Sequence, residues 1–99
     1  MKHVVIPDGT EYIGERWFMN CQVESLTISA SVTAIENEAF YNCKHLNCVI
    51  FAKDSRLEKI GSRCFYGTGI EKIVIPRGVE EIQDGAFSHC ESLKDVIFE

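Results

Sequence analysis

The sequence predicts an α/β repeat solenoid, a short stack with parallel strands on one face and short helical segments on the other, and three observations predict it. The first is self-similarity. Val32, Ile35, Ala39-Phe40 and Cys43 recur 25 residues later as Leu57, Ile60, Cys64-Phe65 and Thr68. They recur a further 22 later as Val79, Ile82, Ala86-Phe87 and Cys90, and 22 earlier as Thr10, Ile13, Trp17-Phe18 and Cys21. A fixed period of this size marks units that bury their apolar faces only by stacking. The second is a strand-type apolar triplet between units: Val4-Val5-Ile6, Leu26-Thr27-Ile28, Val49-Ile50-Phe51, Ile73-Val74-Ile75 and Val96-Ile97-Phe98. The third is the spacing of Ile35, Ala39 and Cys43 at steps of four with Phe40 beside them, which reads as one face of a helical segment of about two turns.

In chain order, the first triplet is followed by Pro7-Asp8-Gly9, the chemistry of a type I turn. Tyr12 to Phe18 and its counterpart Ile35 to Phe40 are read as the helical segments, too short to be stable without packing against the strands. The third triplet positions are 6, 28, 51, 75 and 98, giving steps of 22, 23, 24 and 23. Small loop edits account for the irregularity. The polar insert Ala52-Lys53-Asp54-Ser55-Arg56 reads as a surface excursion, and Gly67-Thr68-Gly69 as a quick reversal. Residues 1–99 are thus expected to form one domain of four repeats, each about 22–25 residues, with five strand segments.

Composition is that of an ordinary globular domain, with 45% hydrophobic and 25% charged residues. A net charge of −5 with scattered Lys and Arg argues against a nucleic-acid partner and against an anionic-membrane anchor. No apolar run approaches the roughly 18 residues a membrane span needs, and Pro7 and Gly9 interrupt any signal-peptide core, so no membrane insertion is expected and the compartment stays unknown. The five cysteines follow the repeat columns: Cys21, Cys43 and Cys90 share one, Cys64 sits in the Ala column and Cys48 precedes a strand. They read as small buried hydrophobes; a Cys21 to Cys43 disulfide is conceivable but spacing alone does not support it.

Chemistry has little foothold. No glycine-flanked nucleophile, Cys-x-x-Cys pair, His-Glu-x-x-His or phosphate-cradling loop is present, so no enzyme activity, cofactor or metal is expected. His45 near Cys43 and His89 beside Cys90 match no established zinc spacing.

Function is sought instead in the columns that a repeat stack lays side by side. Within each strand the first and third triplet positions point inward and the middle one outward. The outward column reads Val5, Thr27, Ile50, Val74, Ile97. The column before the strands reads His3, Ser25, Cys48, Lys72, Asp95, and the one before that Lys2, Glu24, Asn47, Glu71, Lys94. An apolar stripe beside a mixed-charge rim is what a protein-binding surface offers, the alternative being simple β-propensity on a solvated strand. The candidate partner-binding residues are therefore Val5, Thr27, Ile50, Val74, Ile97, Cys48, Lys72, Asp95, Asn47 and Glu71.

The phrase Ile75-Pro76-Arg77-Gly78-Val79-Glu80-Glu81-Ile82, continued by Ala86-Phe87, Cys90 and Leu93, resembles the BspA-like class of leucine-rich repeats, and four copies cover essentially the whole chain. The first copy departs most, with Thr10 for Val and Trp17 for Ala; the third departs at Cys64 and Thr68. The resemblance implies parallel strands on a concave face, helical segments on the convex face, and a cell-surface or secreted recognition or adhesion role. The terminal triplets carry no polar cap. A stack with open ends needs them covered, so a fragment of a longer array or a homo-oligomer is expected. Two functions follow: a module binding a protein partner, or a self-assembling structural unit.

Overall fold

The computed structural model describes residues 2–99. Nine strands follow in chain order: β1 (His3–Ile6), β2 (Tyr12–Ile13), β3 (Ser25–Ile28), β4 (Ala34–Ile35), β5 (Cys48–Phe51), β6 (Lys59–Ile60), β7 (Lys72–Ile75), β8 (Glu81–Ile82) and β9 (Asp95–Phe98). Every ladder is parallel, and each strand pairs with its counterpart one rung away, as His3 does with Ser25 and Ile13 with Ile35. The result is a parallel-strand solenoid of about four turns.

The repeat columns become the core. Ile13, Ile35 and Ile60, Ala39 and Cys64, Leu46, Leu57 and Ile70 are fully buried. The phenylalanine column forms a continuous stack through the rungs: Phe18 on Phe40 at 5.1 Å, Phe40 on Phe65 at 5.4 Å and Phe65 on Phe87 at 5.6 Å between ring centroids, all within 8° of coplanar. One large ring per rung lets each unit bury its apolar face against the next, which no single unit of this length achieves alone.

The helical segments are absent: among the described residues there is no helix. Each expected segment is instead a pair of consecutive turns. Arg16 and Asn20, Glu38 and Asn42, Arg63 and Gly67, Gly85 and His89 all carry φ between 53° and 70°, a left-handed residue every fourth position. Such a residue ends any α-helix, so the four-residue spacing of Ile35, Ala39 and Cys43 records a turn repeat, not the period of 3.6. The backbone bonds alternate accordingly. Ala39, Tyr41 and Cys43 donate back to Glu36, Glu38 and Phe40 within the rung, whereas Glu38, Phe40 and Asn42 donate forward to Ser62, Cys64 and Tyr66 of the next rung. The convex side is therefore a hydrogen-bonded ladder in its own right, which a helix, satisfied internally, is not.

A second parallel sheet, β2-β4-β6-β8, lies on the flank where the helices were expected to begin. Thr33 and Glu36 donate to Glu11 and Ile13, and Glu58 and Gly61 to Thr33 and Ile35, each at 2.8 Å.

The longer strands divide into β1-β3-β5 and β7-β9. The expected single layer of five strands is thus split between β5 and β7. Pro76 supplies the reason for part of the break. At that position Ala52 donates to the Ile28 carbonyl at 3.0 Å and Glu99 to the Ile75 carbonyl at 3.1 Å, but proline has no N–H to offer Phe51. The insert Ala52–Arg56 leaves β5 at the same place.

All five cysteines are free thiols. Their column is not merely apolar: Cys43 Sγ donates to the Phe18 carbonyl at 2.9 Å and Cys90 Sγ to the Phe65 carbonyl at 3.0 Å, one rung back. Burial pushes the Cys43 thiol up to about 11, against a smaller lowering by its hydrogen bond with the Cys21 backbone, and drives Cys64 well above the ordinary thiol range. A raised folded-state value keeps the folded thiol protonated where the unfolded one ionises. The stability it contributes is full below the ordinary thiol value of 9.0 and is lost as pH climbs from there toward about 11. Alkylation with iodoacetamide at pH 8 is expected to spare Cys43 and Cys64 in the native chain and to modify both in urea. Cys43→Ala is expected to cost about 1–2 kcal/mol, Cys43→Ser less, since the hydroxyl keeps the bond to Phe18; urea unfolding curves give both values.

Candidate functional site

The strand face carries the predicted columns in register. Val5, Thr27 and Ile50 lie side by side across β1, β3 and β5, and Val74 beside Ile97 across β7 and β9. Because side chains alternate along a strand, their neighbours Leu26, Ile28, Ile73 and Ile75 are buried while this column faces out. Ile50 is 52% exposed and Val74 37%, with Val5 and Ile97 similarly open; Thr27 is half-buried. The apolar stripe is therefore a geometric fact, interrupted at one polar position.

The rim is less uniform than the columns imply. His3, Ser25 and Cys48 form one row, and Lys72 lies opposite Asp95 in the next sheet. His3 Nδ1 is hydrogen-bonded to the Ser25 hydroxyl and its Nε2 to Thr27 Oγ1 at 3.2 Å. Both ring nitrogens are engaged, so the imidazole holds its rotamer and orients two hydroxyls on the open sheet. Cys48 is half-buried, whereas Asn47, Glu71, Lys72 and Asp95 are exposed. The break between β5 and β7 runs through this surface and separates Cys48 and Ile50 from Lys72 and Val74.

At the break the structure opens a cleft of about 160 Å³ lined by Ile50, Phe51, Ala52 and Val74, with Lys53 and Glu99 contributing one charge of each sign. Reading columns does not reveal this site. Its signal in the sequence is Pro76 directly after a strand together with the longest inter-repeat loop. A slot of this size, with two opposite charges at its border, has the volume of a single side chain and is smaller than the clefts that hold drug-sized ligands.

Elsewhere, several surface contacts tie adjacent rungs together. Arg16 Nε bonds Glu38 Oε1 at 2.7 Å and Lys59 Nζ bonds Glu36 Oε1 at 3.2 Å, both between adjacent rungs. Tyr41 stacks on Tyr66 at 4.6 Å, and Tyr66 on His89 at 4.6 Å. Among the described residues every buried side-chain nitrogen and oxygen has a hydrogen-bond partner, and no group of three or more His, Cys, Asp or Glu is placed to hold a metal ion. His45 and His89 are not brought together with the cysteines into such a group.

The family model described as a BspA type leucine rich repeat region (6 copies) matches residues 1–99. Solved structures superpose on the whole stack. The pneumococcal vaccine antigen PcpA is similar with a TM-score of 0.89 at 28% identity, over 99% of this chain and 28% of that one. A leucine rich cell surface protein from Faecalibacterium prausnitzii aligns with a TM-score of 0.69 at 26% identity, over 100% of this chain and 36% of that one. A leucine-rich repeat protein from Bacteroides capillosus shares the fold, with a TM-score of 0.76 at 24% identity, over 98% of this chain and 76% of that one. The chain spans about a third or less of the pneumococcal antigen. Among curated proteins none matches.

Proposed function

We propose a protein-recognition role, proceeding from the fact that this chain belongs to the BspA-type leucine-rich repeat family. The stack is a non-enzymatic module that binds a protein partner through its strand face, centred on Ile50 and Val74. The observation that carries the reading is the exposed apolar stripe with a cleft at its centre, bordered by Lys53 and Glu99. Contiguous exposed apolar area on a rigid sheet offers a partner a surface that is already ordered, so little conformational entropy is lost on binding. A cell-surface or secreted setting accords with the similarity to the leucine rich cell surface protein of Faecalibacterium prausnitzii. Among the described residues no helix is long and apolar enough to cross a membrane.

The second reading is assembly, in which the same stripe meets another copy; the continuity of Val5, Thr27 and Ile50 across three strands favours it. Ile50→Lys combined with Val74→Lys separates the two. Recognition predicts loss of binding to surface proteins of an opposing cell by at least roughly thirtyfold, as for a buried hot-spot pair, with the mass in light scattering unchanged. Assembly predicts conversion of an oligomer to monomer. Binding and mass both unaffected by the double substitution sink the strand face as the site.

A further inference from the structure

Cys21 and Cys43 are the only two cysteines that occupy one column in consecutive rungs. The turn ladder holds that column in register. Asn20 N–H donates to the Tyr41 carbonyl at 2.8 Å, Asn42 N–H to the Tyr66 carbonyl at 2.6 Å, and the Asn42 side-chain amide to Asn20 Oδ1 at 3.0 Å. Each cysteine directly follows one of these asparagines. Their Cα atoms are therefore one ladder spacing apart, about 4.8 Å, inside the range of about 4.4–6.8 Å that a disulfide spans.

The Cys43 sulfur is already turned toward the preceding rung. It donates to the Phe18 carbonyl at 2.9 Å, and that same oxygen accepts the Cys21 N–H at 3.1 Å. Two rungs on, the same arrangement shows how closely the side chains of this column approach. Cys90 Sγ donates to the Phe65 carbonyl at 3.0 Å, Thr68 N–H donates to that oxygen at 3.4 Å, and Thr68 Oγ1 is 3.2 Å from Cys90 Sγ. A γ atom in this column thus reaches the sulfur of the next rung. Where Thr68 carries oxygen, Cys21 carries sulfur.

Access comes from the side of the stack, between the two rungs. Only Gln22 separates Cys21 from Val23, whereas Lys44 and His45 separate Cys43 from Leu46. Beside this step lies an open cleft of about 210 Å³, with Cys21 on one wall and Lys44 and His45 on the other. Lys44 forms no ion pair with a described residue, so it is free to meet an anion. Cys43, in contrast, is fully buried.

We propose that Cys21 and Cys43 form a thiol-disulfide exchange site for a small anionic disulfide, with Cys21 the attacking sulfur and Cys43 the resolving one. The Cys21 thiolate attacks one sulfur of the disulfide RSSR; the S–S bond breaks, RS⁻ leaves, and a mixed disulfide forms on Cys21. Cys43 then gives its proton to solvent, leaves the Phe18 carbonyl and attacks the Cys21 sulfur, releasing the second RS⁻. The two leaving thiolates take up two protons in place of those the cysteines lost. Two protein thiols are oxidised, RSSR is reduced to two RSH, and the first two rungs are tied covalently. No strand-face residue takes part, so the proposal is independent of the protein-recognition reading.

The test is incubation of the folded, reduced chain with glutathione disulfide at pH 8, followed by mass spectrometry of the intact chain and of its peptides. The expected product is lighter by two hydrogens, with Cys21 joined to Cys43 and no linkage to Cys48, Cys64 or Cys90. Cys43→Ser is expected to stop after the first step and keep glutathione on Cys21. Thr68→Cys is expected to add a second bridge, to Cys90; its failure to do so counts against the column geometry. Because burial holds the Cys43 thiol up at about 11, closure from the mixed disulfide is expected to accelerate roughly tenfold for each pH unit between pH 7 and 9. The bridge is expected to raise the thermal midpoint by roughly 10 °C, reversibly with dithiothreitol. Glutathione that stays on Cys21 of the unmodified chain overturns the resolving role of Cys43. A bridge to any other cysteine, or a chain that reacts only in urea, overturns the site. If Cys43→Ser does not fold, the peptide map of the unmodified chain decides alone, since it reads the Cys21 to Cys43 link directly.

Discussion

Phe65→Ala is expected to remove about 3–5 kcal/mol, the range for truncating a fully buried aromatic, and so to leave the stack marginal or unfolded at 25 °C. Phe65 is completely buried and lies between two rings, Phe40 at 5.4 Å and Phe87 at 5.6 Å. The substitution therefore empties a site with protein on both sides, and the rungs cannot collapse into it without breaking the ladder that Phe65 N–H makes to the Ala86 carbonyl at 2.8 Å. A chain of this length has a total stability of roughly 5–15 kcal/mol, so this one side chain is a large share of it. Phe87→Ala, at the half-buried end of the same column, is the internal comparison and should cost markedly less. Urea unfolding followed by circular dichroism measures both. Equal losses would mean that the phenylalanine stack does not act as a continuous core.

Gly61→Ala is expected to cost about 3 kcal/mol, at the upper end for overpacking, through a single methyl group. Gly61 has an ordinary negative φ, so the penalty is spatial and not conformational. An added Cβ would lie 2.7 Å from both the Asn37 nitrogen and the Glu36 carbonyl carbon, and backbone of the neighbouring rung does not yield as a side chain would. Relief requires the second and third rungs to part, which strains the bonds from Gly61 N–H to the Ile35 carbonyl at 2.8 Å and from Ser62 N–H to Asn37 Oδ1 at 2.9 Å. Gly78→Ala is the control, since its added Cβ would come no closer than 3.6 Å to the Leu57 carbonyl oxygen. At about 4–8 °C per kcal/mol for a domain of this size, thermal melting should separate the two substitutions clearly. A Gly61→Ala chain that melts with the unmodified one would show the rungs to be softer than their close approach indicates.

The core was legible in the sequence because burial in a repeat stack is a column property. Ile35, Ala39, Phe40, Cys43 and Leu46 could be read four times over, and the structure buries each of them. The outward strand column was legible for the same reason. The convex side was not, because an interval of four fits both a helix face and a pair of turns; what decides between them is the sign of φ at Glu38 and Arg63, residues whose side chains do not announce a left-handed backbone. The flank sheet escaped because strands of two residues such as Ala34–Ile35 have no alternation to display. The cleft beside Ile50 escaped because it arises from a missing donor at Pro76, and a missing bond belongs to no column.

The alternating ladder along the turns bears on how such a molecule behaves electrically along its axis. Its donors at Glu38, Phe40 and Asn42 point toward the next rung, while Thr33 and Glu36 on the flank point toward the previous one. Peptide dipoles of opposite sense sit side by side at each rung boundary and offset one another, whereas in an α-helix all point one way and sum to about half a charge at each end. Lengthening the array by any number of turns accordingly adds no growing field at its termini. The potential at either end is set by the side chains of the last rung alone, so a few substitutions there can recharge an end without altering the body between.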